Sequence, residues 1–158
     1  LPYGFWYWLR MAKIISHRGN LTGPNSVHEN SLEAIDHCIY KLKISVEVDL
    51  RWMNGRLYLG HDLPEILIDP IWLRIRHDNL YIHAKNPEAL EFCLKEHLHY
   101  FTHENDPYTI TSRGYIWAYP GKEPVGHKTI GVMPEGHWDK LPNFYGICTD
   151  YPMNYISI

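Results

Sequence analysis

Two histidines frame an acidic stretch, and these residues are the ones in the chain best suited to chemistry. The first lies in Ile14-Ile15-Ser16-His17-Arg18-Gly19 and the second in Leu57-Tyr58-Leu59-Gly60-His61-Asp62, with Glu29-Asn30 and Val46-Glu47-Val48-Asp49 between them. Each cluster follows or sits in a short apolar run that reads as a buried strand. Polar groups at the end of a buried strand cost free energy unless something satisfies them. Imidazoles can move protons, carboxylates can hold a cation, and Arg18 can hold a phosphate. Together these are the parts that a phosphodiester-cleaving site needs.

The elements that must position these groups are legible in outline. Lys13 to Ser16 reads as a strand ending at His17, followed by a polar loop with Gly23-Pro24-Asn25 as turn signals. Asn30 or Ser31 can cap a helix, with Glu33 completing a capping box from Asn30. Leu32, Ile35, Cys38, Ile39 and Leu42 then recur on one helical face. Ser45 to Leu50 is a strand on which Val46 and Val48 face away from Glu47 and Asp49. Asn54-Gly55 is a tight turn into a third strand that delivers His61.

Pro64 and Pro70 leave a loop and a short helix around Ile71 to Arg76, and Asn79 to Ala84 is the next strand, ending at Lys85. Asn86-Pro87 starts a helix whose apolar face is Ala89, Leu90, Cys93, Leu94 and Leu98. Four strand-like runs follow: His99 to Thr102, Tyr108 to Tyr119 with a bend at Gly114, Thr129 to Met133, and Tyr145 to Thr149. Eight strands with chemistry at the carboxyl ends of the first four predict an α/β fold of the TIM type. A full (β/α)8 barrel needs ~250 residues, so several outer helices must be shortened or replaced by loops.

The chain has 158 residues, 45% hydrophobic and 21% charged, a globular composition for a single domain over 11–158. A formal charge of −3 without a long basic run excludes nucleic acid as the expected partner. No apolar stretch reaches the ~20 residues that span a bilayer. Cys38, Cys93 and Cys148 are widely spaced and lie in apolar segments. They read as buried free thiols, which suits a reducing, cytoplasmic setting. Residues 1–10, Leu-Pro-Tyr-Gly-Phe-Trp-Tyr-Trp-Leu-Arg, read as an aromatic leader or tag ahead of Met11, with docking to a partner or membrane surface as the alternative.

Beyond these separate features, an ordered set of motifs resembles the glycerophosphodiester phosphodiesterases and, more distantly, sphingomyelinase D type toxins and phosphoinositide-specific phospholipases C. The set is His17-Arg18-Gly19, Glu29-Asn30-Ser31, Glu47-Val48-Asp49, Asn54-Gly55, His61-Asp62, Lys85 after a strand, and the closing Gly146-Ile147-Cys148-Thr149-Asp150-Tyr151-Pro152. The resemblance implies a hydrolase of lipid metabolism with a TIM-type barrel and a divalent cation, Mg2+ or Ca2+. It assigns His17 and His61 as general acid and base, and Glu47 and Asp49 as metal ligands. Arg18 and Lys85 would touch phosphate, with Glu29 and Asn30 lining the same mouth.

The chain departs from the family twice. It is short, and His83 stands where a further metal-binding carboxylate is usual. Imidazole suits Mn2+ or Zn2+ better than Mg2+ or Ca2+, so a ligand role for His83 would change the metal.

The expected function is therefore a metal-dependent phosphoric diester hydrolase acting on a glycerol-, inositol- or sugar-linked phosphodiester. The alternative is a barrel that binds a phosphorylated ligand without turning it over. Arg18 and Glu29 also read as a structural ion pair, Asn30 as a cap only, and Asp62 as either a loop residue or a group orienting His61. His103, Glu104, Asp106, Glu135 and Asp150 fall at strand ends and read as loop and turn residues, His103 and Glu135 being candidates for substrate contact. Trimmed outer helices would leave apolar wall uncovered and favour a homo-oligomer.

Overall fold

The computed structural model describes residues 12–122 and 126–156; the aromatic leader lies outside the described residues. The strands are β1 (Lys13–His17), β2 (Ser45–Met53), β3 (Arg56–Leu59), β4 (Ile66–Ile68) and β5 (Leu80–Ala84). They continue with β6 (Tyr100–Phe101), β7 (Tyr108–Ile110), β8 (Ile116–Ala118), β9 (Thr129–Val132) and β10 (Gly146–Thr149). Three α-helices occur among the described residues: α1 (Leu32–Asp36), α2 (Pro70–Arg76) and α3 (Pro87–Lys95). A π-helical turn, His37–Lys41, extends α1.

Each helix begins where its cap dictates. Ser31 Oγ accepts from the Ala34 amide, Asp69 from that of Ile71, and Asn86 from that of Ala89. The cap of α1 is thus Ser31, not Asn30, whose side chain is used elsewhere. Prolines at the starts of α2 and α3 need no amide partner there. Leu94, expected on the inner face of α3, is instead 61% exposed.

All ten strands join one curled sheet. A parallel path runs β6-β5-β2-β1-β10-β9-β8. The long strand β2 outruns β1 and pairs antiparallel with β3, which pairs antiparallel with β4, and β7 folds back antiparallel on β8. The single run expected from Tyr108 to Tyr119 is therefore a hairpin turning at Gly114, and β4 is a strand that its flanking prolines concealed.

Strand alternation divides the core in two. Val46, Val48 and Leu50 on β2 and Leu80, Ile82 and Ala84 on β5 face outward and pack with Ile35, Cys38, Leu73, Ala89 and Cys93 from the helical layer. Ile15, Tyr81, Phe101, Trp117, Ile130, Val132 and Cys148 fill the concave side. Beyond β6 a helical cover is replaced by loop. Phe144 lies on Gly131, where an added Cβ would come within 2.7 Å of its ring. A buried parallel sheet needs both faces covered, and in this half an aromatic side chain provides the cover.

The expected (β/α)8 barrel is thus corrected to a mixed, open, curled half-barrel. No ladder joins β6 to β7 or β8 among the described residues. The gap between the edges is bridged by isolated contacts. The Tyr100 amide donates to Ser112 Oγ at 3.0 Å, the Ser112 amide donates to the Tyr100 carbonyl at 2.8 Å, and Phe101 stacks on Trp117. Strands of two or three residues at both edges are too short to complete a closed ladder.

Candidate metal centre

The same alternation that buries the valines of β2 lifts acidic and imidazole groups onto the concave face near the strand ends. Register sets His17 beside Glu47 and Asp49 beside His83. Glu47, Asp49 and His83 each offer one ligand atom, and these atoms all lie within 4.8 Å of one another. Glu47 is 2% exposed and Asp49 0%. Glu47 Oε2 and Asp49 Oδ1 are buried oxygens with no hydrogen-bond partner. Buried carboxylate oxygens are costly in that state, so their presence calls for a cation.

His83 is set up to meet that need. Its Nε2 lies 3.3 Å from the His103 carbonyl, which can only accept, so Nε2 carries a proton. Its Nδ1 lies 3.5 Å from Asp49 Oδ1, where it can donate to the carboxylate or, once its proton is displaced, ligate a cation. A lone pair facing a carboxylate oxygen repels it unless a proton or a metal ion stands between them. A carbonyl behind the imidazole is also the usual outer support of a metal-ligating histidine. The three residues therefore form a buried cluster that could coordinate a divalent metal ion.

Around the cluster the backbone is strained into place. Arg18 and Asn30 both adopt left-handed φ, +58° and +59°, a conformation that asparagine tolerates and that is unfavourable for arginine. Four hydrogen bonds hold it. The Arg18 amide donates to the Glu47 carbonyl at 2.9 Å, and the Asn30 amide donates to the Arg18 carbonyl at 2.8 Å. The Asn30 side chain then brackets Asp49, donating from Nδ2 to Oδ2 and accepting from the Asp49 amide, each at 3.0 Å. Arg18 Nε is 3.0 Å from Asp49 Oδ2. That N–H is not directed at the oxygen, so the contact is an ion pair rather than a hydrogen bond. Lys85 Nζ stands 3.9 Å from Asp49 Oδ1.

Charge sorts the two carboxyls apart. Burial, reinforced by the neighbouring Asp49, pushes Glu47 up to about 7. Burial would also raise Asp49, but His83, Arg18 and the Asn30 amide outweigh it and hold Asp49 below the usual carboxylate range. His17 donates from Nδ1 to Asp150 Oδ1 at 2.8 Å, and Asn20 Nδ2 donates to the same oxygen at 2.8 Å. Burial lowers His17, yet Asp150 and Glu47 more than offset it and raise the imidazole above its ordinary value. His17 Nε2 then points toward Glu47, 3.7 Å from Oε2.

These groups open onto a cavity of about 700 Å³ lined by His17, Arg18, Glu47, His61, His83 and Lys85 at its charged side. His61 reaches it on a turn fixed from beneath. Arg51 donates from Nε to the Gly60 carbonyl at 3.0 Å and from its terminal nitrogen to the His61 carbonyl. Gly60 has φ +153°, and a Cβ there would strike the Leu63 carbonyl, so no other residue fits that corner. His61 Nδ1 is 2.9 Å from Asp62 Oδ1 at the surface, and burial followed by the charge of Arg18 lowers its pKa.

Thus His17, Arg18, Glu47, His61, His83 and Lys85 converge on one cavity, with Asp49 directly behind it. Glu29 and Asn30, expected at the mouth, do not line it: Glu29 pairs with Arg18 at 3.4 Å, and Asn30 is buried on Asp49. Glu135 accepts from the hydroxyls of Thr149 and Tyr155. Two members were missed. Asp150 read as a turn residue although it lies in the closing motif, directly after Thr149, and Asn20 carried no local signal because its partner is 130 residues away.

A scan against protein-family models found no match to this chain, and neither the curated proteins nor the solved structures held one. The open half-barrel overturns the assignment to the glycerophosphodiester phosphodiesterases. The motif order is present, but the closed barrel on which that family's catalysis depends is absent. The phosphoric diester hydrolase activity and the role in lipid metabolism rested on that assignment and fall with it. So does the alternative of an inactive barrel of the same kind.

Proposed function

We propose that this protein is a divalent-cation-binding domain that uses the bound ion, with Arg18 and Lys85, to hold a small oxyanionic ligand. The supporting observation is the convergence of His83 Nδ1 with two buried carboxylate oxygens, on Glu47 and Asp49, that lack a well-formed hydrogen bond. One imidazole and two carboxylates favour Mn2+ or Zn2+ over the all-oxygen ions Mg2+ and Ca2+. Three protein ligands leave coordination positions open toward the cavity, and an anionic oxygen there would meet Arg18 and Lys85. The cationic form of His17 adds a further donor on that side. Among the described residues no helix is long and apolar enough to cross a membrane.

Calorimetric titration of the metal-free protein tests this reading. Mn2+ or Zn2+ is expected to bind one ion per chain, roughly 10-fold or more tighter than Mg2+. Absence of saturable binding by all three ions would overturn it.

A further inference from the structure

The cavity exceeds what a metal ion and a simple oxyanion would fill, and its second half differs chemically from the first. At about 700 Å³ it has the capacity of a site for an organic molecule. Away from the charges its lining is ring-rich. His83, His103 and Phe101 form a triangle of near-parallel rings, with His83 4.7 Å from His103 and 5.0 Å from Phe101, and Phe101 5.9 Å from His103. Phe101 stacks in turn on Trp117 at 4.4 Å and 25°. Four rings therefore form one cluster that includes the candidate metal ligand itself.

Phe101 and Trp117 are almost wholly buried and act as backing, while His103 and Tyr119 are only half-buried. Tyr119 meets His103 edge-on at 5.3 Å, and its hydroxyl is 3.0 Å from His103 Nε2, which fixes both rings. Leu90, Val132 and Met133 add apolar surface to the lining of the cavity. An inorganic anion would leave the ring-rich half unused.

We propose that the cavity takes a phosphate joined to a flat, uncharged ring, with the phosphate oxygens at the metal, Arg18 and Lys85 and the ring against His103 and Tyr119. This rests on the cation-binding reading for the phosphate end and on the ring cluster for the other. A nucleotide and a simple aryl phosphate share the required chemistry. Ring stacking contributes ~1–3 kcal/mol in comparable settings, equivalent to roughly 5- to 150-fold in affinity.

The test is calorimetric titration of Mn2+-loaded protein with inorganic phosphate, cyclohexyl phosphate, phenyl phosphate and adenosine monophosphate. Phenyl phosphate is expected to bind about 10-fold tighter than either non-aromatic phosphate. Adenosine monophosphate binding at least as tightly as phenyl phosphate identifies a nucleotide site; phenyl phosphate binding tighter identifies an aryl phosphate site.

His103→Ala and Tyr119→Ala should each reduce the ratio of phenyl phosphate to inorganic phosphate affinity by about 5-fold or more. Replacing the His103 side chain leaves in place the backbone carbonyl that orients His83. Equal affinities for phenyl, cyclohexyl and inorganic phosphate, or no binding of phenyl phosphate, would overturn the proposal. Repeating the series on metal-free protein separates the two readings. Ring preference without measurable cation binding would remove the metal and keep the ring site, whereas cation binding without ring preference would do the reverse.

Discussion

Strand β5 carries a buried polar side chain near each end of its concave face, and the two ends solve the same problem differently. At the lower end Tyr81 hydrogen-bonds Tyr145, which in turn hydrogen-bonds Tyr115. His99 Nε2 is 2.7 Å from Thr111 Oγ1 in the same cluster. None of these residues has a buried side-chain nitrogen or oxygen without a partner. At the upper end, two residues along, His83 faces Asp49 and Glu47, and an oxygen on each carboxyl is left unpaired. A buried polar group that closes on its neighbours stiffens a core. One left open costs stability and is explained when a ligand completes it. The lower cluster is therefore structural, and the upper one is a site.

The sharpest way to break this contrast is to remove a ligand at the upper end. Asp49→Asn keeps the shape of the side chain but discards the charge that a cation needs. Loss of an outer-shell group typically costs ~10–100-fold in metal affinity, so Asp49→Asn should cost about 100-fold or more by the same titration. Unchanged affinity would place the metal elsewhere and dissolve the comparison.

Glu47→Gln sharpens the contrast because it should move two quantities in opposite directions. Metal affinity should fall, by about 10-fold or more. The metal-free protein should become more stable at about pH 7.5, on the order of 1 kcal/mol, because a neutral amide replaces a carboxylate whose ionisation burial opposes. Thermal denaturation of both metal-free proteins gives the answer. A less stable variant would mean that Glu47 is satisfied by the protein alone.

The pH dependence carries the same signature. Glu47 is raised to about 7, so between the ordinary carboxylate range and that value the folded chain retains a proton that the unfolded chain has released. Stability of the metal-free protein therefore falls as pH rises through that window. His17, raised as well, adds to the loss at the upper end, since its contribution is complete below the ordinary imidazole value and disappears above the raised one. Asp49 and Asp150 are lowered and act oppositely, their contribution disappearing only at more acidic pH. A cation displaces the proton on Glu47, so binding strengthens with pH. His99 and His103, both lowered to about 4, also act oppositely across this window. The Glu47 signature is therefore read as a difference: the melting temperature of the metal-free protein relative to that of Glu47→Gln should fall between about pH 5 and about pH 7.5, with Mn2+ reducing or reversing the fall.

How far the sequence reveals this arrangement depends on how local each signal is. The valine–carboxylate alternation of β2, the Asn54-Gly55 turn and the Asn86-Pro87 helix start are set within a few residues, and each forms where its pattern places it. Closure of the sheet is not local. It depends on whether Tyr100–Phe101 and Ile116–Ala118 are long enough to pair, and a motif order shared with barrel enzymes carries no information about that. Hydrogen-bond partners distant in sequence were equally hidden. Asn30 reads as a cap because Ser31 and Glu33 follow it, yet its amide is drawn to Asp49, 19 residues on. Asp150 reads as a turn residue because its role depends on His17, 133 residues away.

The smallest expected effect comes from the lower end and tests whether the two clusters are independent. Tyr81→Phe deletes one hydroxyl from a satisfied network and leaves the ring packed against Trp117, its neighbour at 6.1 Å. A buried hydrogen bond contributes about 1 kcal/mol net, which for a chain of this size lowers the melting temperature by ~2–4 °C. Metal affinity should not change, because the hydroxyl removed engages Tyr145 and not a ligand, although Tyr81 sits beside Glu47 in the register of β2 and β5. Tyr81 and His83 are only two residues apart on one strand, so a change in metal affinity as large as that of Glu47→Gln would show that the strand transmits strain between its ends. Loss of stability with unaltered metal affinity would show that a structural network and a ligand site can share one strand face without coupling.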